Sequence, residues 1–102
     1  MKIGNFDLNK DGVYIIAELS ANHNGSLQTA LDTIKAAKDI GANAIKLQTY
    51  RADTITLNSK NEDFLIDGGT LWDGKNLYEL YEEAYTPWEW HKELFDYARS
   101  ID

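Results

Sequence analysis

Residues 7–18 read "DLNKDGVYIIAE", and two incompatible folds fit them. Asp7, Asn9, Asp11, Gly12 and Glu18 match the D-x-[DN]-x-[DN]-G-x5-E spacing of a calcium-binding EF-hand loop. The same letters also read as a polar turn, a buried strand "VYIIA" and a carboxylate at the strand's end. An EF-hand needs a helix entering the loop, but only "MKIGNF" precedes it, and Gly4 makes so short a segment a poor helix nucleus. The leaving helix would have to begin in "IIAELSANHNG", where Asn and Gly interrupt it. The position that usually supplies an oxygen ligand, directly or through water, is Ile15. The strand reading is therefore adopted, with Glu18 as a candidate catalytic carboxylate.

"VYIIA" (13–17) follows the Asp11-Gly12 turn signal and suits a strand buried on both faces. "ELSANHNGS" is a polar loop. Ser26 is a good N-cap for a helix carrying Leu27, Ala30, Leu31, Ile34 and Ala37 on one face, and Gly41 lies where a C′ glycine ends it. "NAIKLQT" (43–49) is a second short strand. Strand, helix and strand with short connections predict a right-handed βαβ unit and a parallel sheet. From Tyr50 to Gly74 no period is sustained, although Phe64, Leu65 and Ile66 are candidates to tuck back onto the body. A loop this long in a compact domain is usually functional or mobile. Two helices follow. One presents Leu77, Leu80, Tyr81 and Ala84. The other opens with "TPWE", where Thr86 as N-cap, Pro87 at N1 and Glu89 at N3 form a capping box. Its expected buried stripe is Trp88, His91, Leu94 or Phe95, and Ala98.

Composition narrows the function classes. The chain has 102 residues, 43% of them hydrophobic and 12% aromatic, which suits at most one folded domain and not a disordered chain. No cysteine is present, which excludes disulfides, thiolate metal sites and cysteine nucleophiles. The formal charge is −7, from 17 acidic and 10 basic residues, and the basic residues are not clustered. Nucleic acid is therefore not an expected partner, because phosphate neutralisation needs grouped Lys and Arg. No apolar run reaches the length that crosses a bilayer, so no membrane partner is expected and a cytoplasmic location is the default. A small anionic substrate remains compatible, since distant carboxylates are screened beyond about 8 Å.

The strand reading brings chemistry together. In parallel α/β sheets, ligands bind beyond the carboxyl ends of the strands. Side chains alternate, so Ile16 and Glu18 share a face of the first strand, and Lys46 and Gln48 share one of the second. If both faces point the same way, a carboxylate, an ammonium and an amide converge at one edge. A lysine between Ile45 and Leu47 is costly to bury without an anion, and one such attraction in a semi-buried site is worth roughly 4 kcal/mol before desolvation. Two blander readings stand beside this one: Glu18 and Lys46 pair with each other, or Lys46 reaches out to water.

The residues also resemble a known family. "IIAELSANHNGSLQTALDTIKAAKDIGANAIKLQTY" is similar to the start of the sialic-acid synthases, with their AE, NH-x-G and K-x-Q-T signatures in order. "GGTLWDGKNLYELYEEAYTPWEWH" is similar to the pseudaminic acid branch of that family, and the likeness runs from about Val13 to Ala98. It implies an α/β fold, the N-terminal βαβ portion of a (β/α)8 TIM barrel. It further implies an enzyme that condenses phosphoenolpyruvate with an N-acetylated sugar aldehyde, in this branch 2,4-diacetamido-2,4,6-trideoxy-L-altrose, and releases phosphate by C–O cleavage. A divalent metal, typically manganese, is implied as the cofactor, as is a homodimer. Carried over by position, Glu18 and Lys46 are the catalytic candidates, Glu18 as acid, base or orienting group and Lys46 as the phosphoenolpyruvate contact. Gln48 lies beside the same pocket, while Asn22 and His23 shape it, His23 not as a metal ligand.

A barrel needs about 250 residues, so residues 1–102 read as a single partial domain. The resemblance puts the metal-binding histidines, most phosphate-binding residues and a C-terminal antifreeze-like domain outside this chain. The chain alone is therefore expected not to catalyse the condensation. The alternative is a non-catalytic α/β module that associates with another chain through an open sheet edge. Other residues receive plainer readings. His91 is a structural histidine, and Trp88 and Trp90 are packing residues. Asp73 reads as an N-cap. Trp72 is balanced between covering the sugar and simple packing. Tyr50 and Arg51 are candidate substrate-facing loop residues.

Overall fold

The computed structural model describes residues 1–101. Its frame is the expected βαβ unit, with strand β3 (Ile16–Glu18), helix α1 (Leu27–Asp39) and strand β4 (Ala44–Lys46). β3 and β4 pair in parallel, with Ile16 opposite Ala44, Ala17 opposite Ile45 and Glu18 opposite Lys46. Local signals set the ends of α1. The Ser26 side chain accepts from the Thr29 N–H at 3.2 Å. At the other end Gly41 takes φ +94°, and the Gly41 and Ala42 N–H groups bond back to the Lys38 and Ala37 carbonyls. This closure satisfies carbonyls that helix geometry leaves open.

The core lies on one side of the β3–β4 pair. Leu19, Ala30, Ile34 and Leu94 are its buried centre, with Ile45, Leu47, Trp90 and Tyr97 packed around them. Helix α4 (His91–Ser100) lies against α1 to close that side. A smaller cluster joins the short helix α2 (Ala52–Ile55) to α3 (Leu77–Ala84), where Tyr50 meets Tyr81 edge to face with ring centroids 5.5 Å apart.

Several expectations are corrected. The first strand is not buried on both faces: Val13 is 80% exposed and Ile16 55%. Only one face of the two-stranded sheet is covered by helices, so an apolar run does not report burial on the other. Both strands are also shorter than their apolar runs. Asn43 takes over before β3 begins, its side-chain oxygen accepting from the Ile15 N–H at 2.8 Å.

Ahead of the frame is an antiparallel hairpin, β1 (Lys2–Ile3) with β2 (Phe6–Asp7), turned through Gly4 at φ +58°. It is followed by the loop that resembled a calcium site. There Asp7 and Asp11 accept from the N–H groups of Asn9 and Asp7, and Glu18 is committed to the β3–β4 pair. A hairpin stands where the entering helix would have to be.

The "TPWE" capping box does not form. Thr86 is fully buried and its N–H donates to the Gln48 carbonyl at 3.4 Å, so its side chain faces the interior and not the first helical turn. A 3-10 turn (Trp88–Trp90), preceded by Pro87, leads into α4 instead. The expected stripe holds in part: Leu94 is buried and Ala98 packs against the core. Trp90, Leu94 and Tyr97 face the core, while Trp88 and Phe95 are 59% and 49% exposed. Asp73 is not an N-cap. That role belongs to Asn76, which forms a reciprocal capping box with Glu79 (2.8 and 3.2 Å). Asp73 instead gathers the N–H groups of Gly68, Gly69 and Thr70 and the Thr70 hydroxyl. These donors favour the ionised carboxylate and hold its pKa below the usual range. Phe64 and Ile66 are half-buried, while Leu65 is exposed.

Candidate active site at the carboxyl edge of the parallel strands

Alternation along the strands decides which side chains can meet. Leu19, Ile45 and Leu47 enter the helix-side core, so Ile16, Glu18, Lys46 and Gln48 fall on the opposite face. The register places Glu18 beside Lys46, and Lys46 Nζ donates to Glu18 Oε1 at 2.9 Å. Ser20, Gln48 and Leu47 join them around a small cavity of about 80 Å³. The acid, the amine and the amide thus converge at one edge, and Glu18 and Lys46 pair with each other, as the first of the two blander readings had it.

The energetic expectation is corrected. Lys46 is not a buried lysine: its side chain is 62% exposed and that of Glu18 58%. At that exposure a pair contributes about 1 kcal/mol at most, because water screens the charges and two side chains must be ordered. The pair therefore does little for stability and is cheap to open. An anion arriving at Lys46 competes with a weak partner.

The other sequence candidates distribute unevenly. Asn22 is exposed, and its backbone N–H and side-chain amide both donate to the Leu19 carbonyl, at 3.1 and 3.0 Å. His23 is 1% exposed and packs edge to face on Trp90 with centroids 5.2 Å apart. Its Nδ1 accepts from the Gly25 N–H at 3.0 Å. Its Nε2 is buried and makes no hydrogen bond among the described residues. Burial pushes the His23 pKa below 6.5, and the backbone of Ala84 and Tyr85 offsets the shift in part. His23 thus packs the loop after β3 against Trp90, and it is not among the residues around the Glu18–Lys46 cavity.

Tyr50 is 8% exposed, and burial pushes its phenol pKa up, so it supports the loop from beneath. Arg51 pairs with Asp53 at 3.3 Å on the surface. Trp72 is 38% exposed, in the loop braced by Asp73, with Lys75 Nζ 5.7 Å from its ring centroid. His91 is half-buried, its Nδ1 beside the Pro87 and Trp88 carbonyls and its Nε2 against the Thr49 hydroxyl. That fits its structural reading.

Sequence reasoning missed Ser20. It takes φ +51°, a left-handed conformation that costs a non-glycine residue roughly 1–2 kcal/mol. The Asn22 N–H to Leu19 carbonyl bond closes a turn around it. The available signal was its position two residues beyond Glu18, where the alternation would carry it to the same side. Asn24, at φ +49°, needs no comparable explanation, because Asn visits this region readily. Among the described residues no three His, Asp or Glu side chains converge to hold a metal ion, and no helix is long and apolar enough to cross a membrane.

The NeuB family model matches residues 33–102, and the chain belongs to the NeuB family. It is 62% identical over 100 residues to the pseudaminic acid synthase of Campylobacter jejuni, covering 98% of this chain and 29% of that protein. It is 57% identical over 88 residues to the pseudaminic acid synthase of Helicobacter pylori, covering 86% of this chain and 26% of that protein. The N,N'-diacetyllegionaminic acid synthase of Legionella pneumophila is 36% identical over 88 residues, 86% of this chain and 24% of that protein. The chain thus spans less than a third of the length of these curated relatives.

Proposed function

We propose that this chain is the N-terminal βαβ portion of a (β/α)8 barrel in a phosphoenolpyruvate-dependent nonulosonic acid synthase of the pseudaminic type. The acceptor is an N-acetylated sugar aldehyde, 2,4-diacetamido-2,4,6-trideoxy-L-altrose. The reading is supported by membership of the NeuB family and by the 62% identity to a pseudaminic acid synthase. The observation that carries it is the Glu18–Lys46 pair, adjacent in register on the open face of the sheet.

In the reaction, the methylene carbon of phosphoenolpyruvate forms a bond to the aldehyde carbon, whose oxygen takes a proton. Water adds at the pyruvyl C2, and the C–O bond to phosphate breaks, leaving a 2-keto acid and inorganic phosphate. Lys46 receives an oxyanion of phosphoenolpyruvate and stays close as charge develops. That binding releases Glu18 from its ammonium partner. The freed carboxylate takes the proton from the attacking water or orients it, work for which a placed acid or base typically supplies about 10²–10⁴-fold in rate. Gln48 fixes the ligand's orientation. A divalent metal, manganese, would polarise the aldehyde. The described residues of this chain do not fit one, and its ligands are assigned to the rest of the synthase.

A phosphate-release assay tests the proposal with phosphoenolpyruvate, the sugar and manganese. The full-length synthase carrying this chain is expected to turn over and the 102-residue chain alone is not. Turnover by the short chain would overturn the claim that it is one part of a larger catalytic unit. The second reading, an associating module without catalysis, draws on the exposed Val13, Ile15 and Ile16 beside the uncovered sheet face. It would gain if the full-length protein released no phosphate while the short chain bound another chain.

A further inference from the structure

Ser20 is where the backbone and the cavity make the same demand. It is half-buried and lines the cavity with Glu18, Lys46 and Gln48. It stands at the first central position of the Leu19–Asn22 turn at φ +51°, while Ala21, the next residue, is not left-handed. A turn with that pattern ordinarily takes glycine at its first central position. A serine there is strained, and its hydroxyl gains no internal partner in return, since among the described residues it makes no hydrogen bond. Strain of this kind collects at ligand clamps. The neighbours narrow the ligand. Lys46 supplies positive charge, Gln48 can donate through its amide, and a serine hydroxyl supplies one further donor. Three donors around a small open cavity suit an oxyanion.

The geometry points to Ser20 as a substrate-binding residue whose hydroxyl donates to the same oxyanion of phosphoenolpyruvate that Lys46 receives. This rests on the proposed synthase reading, and it assigns to the turn after β3 a donor that the strands alone do not supply. The left-handed turn places Ser20 at the cavity that Lys46 also lines.

Two substitutions in the full-length synthase separate a binding role from a turn role. Ser20→Gly removes the hydroxyl and relieves the backbone. Ser20→Ala removes the hydroxyl and keeps the strain. Both are expected to raise KM for phosphoenolpyruvate about tenfold or more, as for a lost hydrogen bond to a charged group. KM for the sugar should stay within about twofold, and Ser20→Gly should melt no lower than the parent. Competition locates the oxyanion. Weakened inhibition by pyruvate in Ser20→Gly assigns the hydroxyl to the carboxylate, and weakened inhibition by inorganic phosphate assigns it to the phosphoryl group. An unchanged KM for phosphoenolpyruvate in Ser20→Gly overturns the inference, as does a rise confined to the sugar or a loss confined to kcat. Calorimetric titration of phosphoenolpyruvate into the parent protein keeps the two levels apart. If the parent neither binds it nor turns over, the synthase reading fails and takes this inference with it. If the parent binds it and Ser20→Gly binds it equally well, only the role of Ser20 fails.

Discussion

The two faces of the β3–β4 pair are built from the same few residues and do opposite work. Toward the helices, Leu19, Ile45 and Leu47 meet Ile34 and Leu94 in the core. Away from them, Ile16, Glu18, Lys46 and Gln48 stand exposed. One residue of displacement along a strand separates a fully buried leucine, Leu19, from a 58% exposed carboxylate, Glu18. The period-2 geometry of a strand makes this possible. Packing and the proposed chemistry thus fall on opposite sides of one short sheet, so a change on one is expected to have little effect on the other.

The largest expected effect is on the exposed face and concerns rate alone. Glu18→Gln in the proposed full-length synthase should lower turnover by about 10²–10⁴-fold and leave the urea unfolding midpoint nearly unchanged. Near-normal turnover would reduce Glu18 to a partner for Lys46. On the buried face, Leu19→Ala should cost about 2–5 kcal/mol of stability through lost contacts and a cavity, read from denaturant unfolding. A loss below about 1 kcal/mol would mean that the helix-side core does not hold the frame.

A smaller effect concerns pH. The folded state depresses the His23 pKa, so the unfolded chain binds the proton more readily. Stability from this group is complete above the ordinary value of 6.5 and is lost as pH falls from there through the lower folded value. The melting temperature should therefore fall on acidification from about pH 7 to 5, and His23→Gln should flatten that slope; an unaltered slope in the variant would place the proton uptake elsewhere. Smallest of all, Lys46→Ala should change stability by about 1 kcal/mol or less, as expected for an exposed pair, while raising KM for phosphoenolpyruvate. A larger stability loss would show that the ion pair is structural after all.

What could be read in advance was local. Ser26 and Gly41 bracket α1 because capping depends on a few adjacent backbone groups. The convergence of Glu18 and Lys46 followed from alternation and parallel order. Burial was less legible, because it depends on what covers each face. "VYIIA" looked like an interior strand, yet Val13 and Ile16 are mostly exposed. The Thr86 box failed for a tertiary reason: a backbone bond to Gln48 turned the threonine inward. The Asn76–Glu79 box and the hairpin through Gly4-Asn5 were present as short local signals but were outweighed by Asp73 and by the question of an entering helix. The place of Ser20 beyond Glu18 was legible from alternation, but its left-handed backbone was not, because serine carries no signal for that conformation.

The bond between the Thr86 N–H and the Gln48 carbonyl has a wider consequence. The chain departs from the end of β4 and comes back to almost the same point, so residues 49–85 form an excursion whose two ends are already joined. Closing such a loop costs little more when it is longer. Changes of length in its exposed loops should therefore leave the register of the frame beneath unchanged, much as a tool head is changed on a fixed handle.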